Sequence, residues 1–355
     1  MRTDFAVIGA GICGLSAAWA LTRRGHEVTV IDQAPTGHLS GGSHGSCRIF
    51  RLGYETPAYV ALARRARDVW TELEDTCGER LLHPAPQLTF GPEMEQVRSA
   101  LEHAGAHCEL MSSRAAAERF GGVTVPGPVL YEPESAVIAA DRALAVLARS
   151  CGSDERSDAR VTALAEAGSR VRVSTTGGDI DAGRAIVCAG PWTPKLAASA
   201  GIAMPAAATM EQVAYLAPAR ADAGPMPILV HYGGEFPYGL PVPGSDLYKI
   251  GIHFGGPAVD PDRQDHRDDA GLVARIKQAA TAFLPGFHAD PVATERCIYD
   301  TTPDTDFIVD RVGAIVLGSG TSGHGFKFGP LIGEWLADLA TGTGTSPASF
   351  ALSRF

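Results

Sequence analysis

No apolar run in this sequence approaches the ~20 residues that a membrane-spanning helix requires, so no membrane partner is expected. Net positive charge is missing as well. Thirty Lys and Arg stand against forty Asp and Glu, a net charge of −10, and a nucleic-acid surface needs a basic face. Cysteines at metal or redox spacing are also missing. The seven are scattered singly as Cys13, Cys47, Cys77, Cys108, Cys151, Cys188 and Cys297, with no CxxC and no His/Cys cluster. A zinc site or a redox dithiol is therefore not expected. Met1-Arg2-Thr3-Asp4 leads straight into a strand-like run with no leader to remove. With the odd cysteine count, this argues against a disulfide framework and for a cytoplasmic setting. Internal repeats are absent too. What remains is an ordinary globular composition, 45% hydrophobic and 20% charged, over 355 residues, a length that favours two domains.

The first forty residues carry the densest information. Phe5-Ala6-Val7-Ile8 fits a central parallel strand, Gly9-Ala10-Gly11-Ile12-Cys13-Gly14 a GxGxxG turn, and Leu15 to Arg24 a helix stopped by Gly25. A second strand, Val28 to Ile31, ends on Asp32. This is the βαβ dinucleotide fingerprint in its required context. Gly9 permits the tight turn, Gly11 lets the backbone approach a pyrophosphate, and Gly14 lets the helix lie close to the strand. Asp32 stands where a carboxylate receives a ribose hydroxyl. The fingerprint alone does not separate NAD from FAD. The continuation does: instead of another βαβ unit comes a Gly/Ser-rich loop and then Ser43-His44-Gly45-Ser46-Cys47-Arg48-Ile49-Phe50-Arg51. A helix follows, with Thr56 as cap, Pro57 at its first position and Tyr59, Leu62, Ala66, Val69 and Leu73 at helical spacing. Its Arg64, Arg65 and Arg67 read as a solvated face.

Farther on, Ala185 to Gly190 is another buried-strand run, ending in Gly190-Pro191-Trp192-Thr193 before a helix. Between about 200 and 300, short alternating segments such as Gln212–Leu216 and Tyr248–Phe254 predict an antiparallel sheet. Alternation places Lys249, Gly251 and His253 on one strand face; taken alone, Lys249 reads as a guard on an edge strand. Strand character returns at Ala314 to Leu317, then a Gly-rich loop through Ser322-Gly323-His324-Gly325-Phe326-Lys327, then a helix from Pro330 to Leu339. The expected fold is mixed α/β: a Rossmann-type FAD-binding domain (1–82, 139–199, 297–355) interleaved with a mostly antiparallel β-sheet substrate domain (83–138, 200–296).

Gly9-Ala10-Gly11 with Gly14, Ser43 through Arg51, Ala189-Gly190-Pro191-Trp192, Lys249 with His253, Cys297-Ile298-Tyr299, Asp306 to Asp310 and Ser322 through Lys327 share an order and spacing. Over residues 4–340 that pattern resembles monomeric sarcosine oxidase, N-methyltryptophan oxidase and pipecolate oxidase, within the glycine-oxidase and D-amino-acid-oxidase branch of FAD enzymes. The resemblance implies FAD bound by the motif glycines, Asp32, Ser43, His44, Gly190, Trp192, Gly323, Gly325 and Lys327, and attached covalently to Cys297. It implies that Arg51 and Lys327 grip a substrate carboxylate, a pairing that suits a two-pronged guanidinium and a point charge. It places Lys249 where a cation promotes reaction with O2, Arg48 beside the flavin ring, and His253, Tyr238 and Tyr299 in the substrate cavity. The implied reaction is oxidation of the C–N bond of a small secondary amino acid, N-methyl or cyclic, to an imine, with O2 reduced to H2O2 by a monomer. Against sarcosine oxidase the chain is shorter around 151–160 and 217–232, and Met204–Met210 and His231–Phe236 differ. A specialised biosynthetic intermediate as substrate thus stays open, as does a dehydrogenase using another electron acceptor. An NAD(P)-dependent reductase and a non-catalytic flavin-binding protein are the readings from other classes.

Overall fold

Phe5 to Ile8 are all buried, which a strand achieves only with layers on both its faces. In the computed structural model, which describes residues 1–355 apart from Ser153 and residues 221–223, Arg2–Ile8 is a central parallel strand. It pairs in parallel with Val28–Ile31 on one side and Ile180–Val187 on the other. Asp154–Arg156 extends the sheet beyond Val28–Ile31, and Ile315–Ser319 joins in parallel to Ile180–Val187. Antiparallel strands Val161–Ala167, Arg170–Thr175 and Ile308–Val312 complete eight. The shortened stretches around 151–160 and 217–232 run in part through residues outside those described.

The helix Ile12–Arg23 starts three residues earlier than its apolar pattern suggests and is buried from Ile12 to Leu21. Gly9 has φ +105°, and a Cβ on Gly14 would stand 1.9 Å from the Gly9 carbonyl oxygen. The turn and the close helix approach therefore both require glycine. The closing helix, Gly329–Thr341, lies against Ile12–Arg23. Pro57–Cys77 is capped as its sequence implies: Thr56 Oγ1 accepts from the Tyr59 N–H at 3.4 Å, and Gly78 is left-handed at φ +70°. Its three arginines are not merely solvated. Arg64 donates to the carbonyls of Ala104 and Gly105, Arg67 donates to the Glu134 carbonyl, and Arg65 lies over the Trp335 ring. A guanidinium on a long stem reaches such carbonyls while its methylenes cover apolar surface.

The second sheet also has eight strands, in the order Ala293–Thr301, Ala207–Leu216, Tyr248–His253, Phe236–Pro241, Ile228–His231, Gln87–Phe90, Val129–Glu132 and Glu109–Met111. Every pairing is antiparallel except Ile228–His231 with Gln87–Phe90. Tyr248–His253 is thus interior, and Lys249 guards no edge. A backbone ladder on both sides leaves its side chain only the two sheet faces. Residue 297, where the expected domain boundary falls, lies inside the continuous strand Ala293–Thr301. The helix Ala270–Phe283, absent from the sequence reading, covers this sheet with Leu272, Ile276 and Ala280 and is capped by Asp269. A small third sheet joins Cys47–Phe50, Ala136–Ala139 and Leu82–Pro84.

Trp70 on Pro57–Cys77 is fully buried, and its indole N–H donates to the Lys327 carbonyl at 2.7 Å. Trp70→Phe keeps an aromatic ring but orphans that carbonyl. The unfolding free energy should fall by about 1–2 kcal/mol, read as an earlier midpoint in urea.

Candidate active site

One cavity of about 420 Å³ runs from the Gly9–Cys13 turn, Asp32 and His38 at one end to Arg51, Tyr238, His253 and Lys327 at the other. Of the residues expected to hold cofactor or substrate or to act in the reaction, Gly14 alone does not reach its wall, because it is spent on helix packing. Strand alternation supplies much of the lining: Phe236, Tyr238 and Leu240 from one strand, Lys249 and His253 from the next, and Glu295, Cys297 and Tyr299 from a third.

At the first end Asp32 is already committed to holding the turn. Its Oδ2 accepts from the Ala10 N–H at 2.6 Å, its Oδ1 from the Ala34 N–H at 3.2 Å, and His38 Nε2 lies 3.3 Å from Oδ1. Ser43 Oγ accepts from the Ile12 N–H at 3.0 Å, fastening the Ser43–Arg51 segment to the helix start. Asp262, on a loop between the second sheet and its covering helix, reaches across to Trp192 Nε1 at 2.8 Å and to Arg160 and Lys195. Those three hydrogen bonds, that of Lys195 foremost, hold its carboxyl down at about 2. No local pattern marks Asp262 in the sequence, since a loop has no periodicity to read.

Charge gathers in the middle of the cavity. Arg48 donates to the carbonyls of Gly42, His44 and Cys47, and its Nη2 lies 3.9 Å from Cys297 Sγ. Burial pushes the Cys297 thiol up, while Arg48 and Lys249 pull the other way. Lys249, 4% exposed, donates to the Cys47 carbonyl at 3.3 Å. Glu295 was missed in the sequence, although its position two residues before Cys297 on a strand places the two on one face.

At the far end two cations lie together. Arg51 is 9% exposed and Lys327 5%. Arg51 donates to the Gly53 carbonyl and the Tyr232 hydroxyl, with its guanidinium 4.3 Å over the Tyr54 ring. Lys327 Nζ donates to the Tyr54 hydroxyl at 3.0 Å and the His324 carbonyl at 2.9 Å. Among the described residues, neither has an acidic group within ion-pair distance. Burial and then Arg51 push the Lys327 amine well below its ordinary range. His253, 3.3 Å from the Tyr299 hydroxyl, is held down at about 3 by burial, then by Arg51 and Lys327. His324 is pushed down in the same way and bonds Tyr54 and the Thr305 carbonyl. Both imidazoles are therefore neutral near pH 7. Buried cations are stable only with a partner, so an anion at this end would compensate both.

A family model described as FAD dependent oxidoreductase matches residues 4–339. The chain is similar to a probable sarcosine oxidase of Arabidopsis thaliana, at 32% identity with 100% of this chain and 93% of that protein covered. It is 29% identical to a monomeric sarcosine oxidase of Bacillus sp. (strain NS-129), with 95% and 92% covered. In fold it matches a variant of NikD, described as an unusual amino acid oxidase essential for nikkomycin biosynthesis. There the TM-score is 0.90 at 24% identity, with 99% and 97% of the two chains covered.

A carboxylate bound between Arg51 and Lys327 favours the ammonium form that burial disfavours, so the Lys327 pKa rises on binding. Proton uptake should accompany benzoate binding at any pH between the free and bound values, and affinity should fall as pH rises through that window. Calorimetry in buffers of different ionisation enthalpy reads the uptake, and Lys327→Met should abolish it.

Proposed function

The chain belongs to the FAD-dependent oxidoreductase family, and from that premise we propose that it oxidises the C–N bond of a small secondary amino acid, N-methyl or cyclic. The product is an imine that water hydrolyses, and O2 is reduced to H2O2. The observation that carries this reading is the pair of buried cations without an acidic partner within ion-pair distance among the described residues, at the opposite end of a cavity from a dinucleotide turn. Arg51 and Lys327 grip the substrate carboxylate, charge-assisted contacts that fix the α-carbon and the nitrogen in one orientation. Tyr238, Tyr299 and Phe236 enclose the remainder and exclude water. His253, neutral and hydrogen-bonded to Tyr299, positions the substrate without demanding a counter-charge.

The cavity fits the cofactor of the family. It is continuous from the Gly9–Cys13 turn, and His44 presents a buried Nε2 with no hydrogen-bond partner among the described residues. Gly9, Gly11, Asp32, Ser43, His44, Gly190, Trp192, Gly323 and Gly325 would hold FAD, with Lys327 at its substrate side. When bound, FAD accepts the hydride equivalent released from the carbon beside the substrate nitrogen. Arg48 stands beside the ring, and Lys249 supplies positive charge where O2 is reduced, an effect worth roughly 10²–10³ in rate for one well-placed group. Cys297, which lines the cavity, would be the residue that holds the flavin covalently through its sulfur. Residues 1–82, 139–199 and 297–355 serve the cofactor, and 83–138 with 200–296 the substrate. The likeness to a monomeric relative supports a monomer. Seven cysteines scattered singly, none at disulfide or metal spacing, support a cytoplasmic setting; no helix of the described residues is long and apolar enough to cross a membrane.

Anaerobic mixing with N-methyl, cyclic and primary amino acids should bleach the yellow absorbance fastest with the secondary ones, and their decarboxylated amines should fail. Equal bleaching by the amines would remove the carboxylate grip. Arg51→Ala should raise KM about a hundredfold, as expected for about 2–3 kcal/mol of charged hydrogen bonding. Acid precipitation should leave the colour with the wild-type pellet and free it from Cys297→Ser.

A further inference from the structure

Cationic charge at the middle of the cavity is compensated, unlike that at the substrate end. The compensation comes from one residue. Glu295 Oε2 lies 3.9 Å from Lys249 Nζ, the one carboxylate within ion-pair distance of Lys249 among the described residues. The same carboxylate accepts from the Tyr215 hydroxyl at 2.7 Å, and its Oε1 lies 3.0 Å from His44 Nδ1. Tyr215 sits under the lysine, with its ring centroid 5.5 Å from Nζ. Arg48 and Cys47 face Lys249 from one strand, Glu295 and Cys297 from another, and Tyr215 from a third.

These groups pull in opposite directions. Burial, and then the Arg48 charge, drive Lys249 toward the neutral amine, and Glu295 opposes them. Although burial works against the carboxylate, His44, Lys249 and Tyr215 hold it ionised with a pKa of about 2. Its anionic charge is therefore fixed across the working pH range, and the lysine is the member of the pair that can titrate.

We propose that Glu295 is a positioning residue for the reduction of O2: by its ion pair it keeps Lys249 an ammonium and holds that charge against the cavity wall. The proposal rests on the reading that Lys249 supplies charge to O2. Glu295 touches neither substrate nor O2. It acts through the lysine, and its own bonds to Tyr215 and His44 keep it from following the charge it holds. Removing its charge while keeping its shape takes away the one carboxylate that opposes burial and Arg48 at Lys249 among the described residues. The amine then loses its proton at lower pH, and the charge available to O2 fades as pH rises.

The test uses the holoenzyme labelled with [13Cε]lysine. The chain has four lysines, Lys195, Lys249, Lys277 and Lys327, so Lys249→Met assigns the Lys249 signal and the other three report on folding. In Glu295→Gln the Lys249 signal should titrate at least about one pH unit lower than in the wild type, a tenfold loss of ammonium above that pH. Stopped-flow reoxidation by O2, divided by the rate of reduction by substrate, should fall about tenfold at pH 8 and recover toward pH 6. Glu295→Asp should restore part of both. An unshifted Lys249 titration in Glu295→Gln, or an unaltered rate ratio, overturns the proposal. Should Glu295→Gln not fold, the titration in Glu295→Asp decides, with a smaller downward shift supporting the proposal and none overturning it. Undiminished reoxidation in Lys249→Met overturns the underlying reading of Lys249 instead, so the two failures are distinguishable.

Discussion

Two positive charges held side by side out of water are the constraint around which this molecule is arranged. The penalty for burying a single ion amounts to several kcal/mol, and Arg51 and Lys327 incur it together and repel each other besides. Neutral groups fix them in place. Tyr54 serves both, with its ring under the guanidinium and its hydroxyl against the amine. The Gly53 carbonyl and Tyr232 hold the arginine, and the His324 carbonyl holds the lysine. One acid that feels the Arg51 charge, Glu132, is kept back. It is 2% exposed, accepts from Thr89 and Gln87, and is pushed up by burial, so it lends the arginine support without occupying its fork.

The contrast with the centre of the cavity shows that the absence of a counter-ion is a local design. Elsewhere on the wall of the same cavity Lys249 has a dedicated carboxylate, whereas Arg51 and Lys327 have none within ion-pair distance among the described residues. The positive charge of the cavity is compensated within the protein at its middle and left open at its far end. Burial, reinforced by the same two cations, depresses His253 and His324 and keeps a third positive charge from the wall.

What could be read in the sequence was what has a period or a spacing. Gly9-Ala10-Gly11 with Gly14 and Asp32, the Thr56-Pro57 helix start, and the alternation through Lys249 and His253 each map onto an element nearly residue for residue. The cavity wall was legible for the same reason, because strands deliver every second residue to one face. Other features were not. The helix Ala270–Phe283 is amphipathic with only three buried positions, too thin a stripe to stand out among Pro- and Gly-rich neighbours. Arg65 is exposed as a solvated face requires, but Arg64 and Arg67 are half-buried because their acceptors, such as the Ala104 and Glu134 carbonyls, come from distant segments. Lys249 looked like an edge residue because the order of strands in a sheet is decided by long-range pairing, and one strand does not reveal its neighbours.

The parallel pairing of Arg2–Ile8 with Ile180–Val187, and of that strand with Ile315–Ser319, has a temporal meaning. The first strand leaves the ribosome about 180 residues before the partner that will flank it, a wait of roughly 10–40 s at ordinary rates of synthesis. The loop carrying Gly323 to Lys327 follows about 310 residues after the Gly9–Cys13 turn. The turn is thus made long before the residues that complete the cavity around it. Until those residues emerge, the apolar faces of the first strand depend on provisional neighbours to stay out of aggregates.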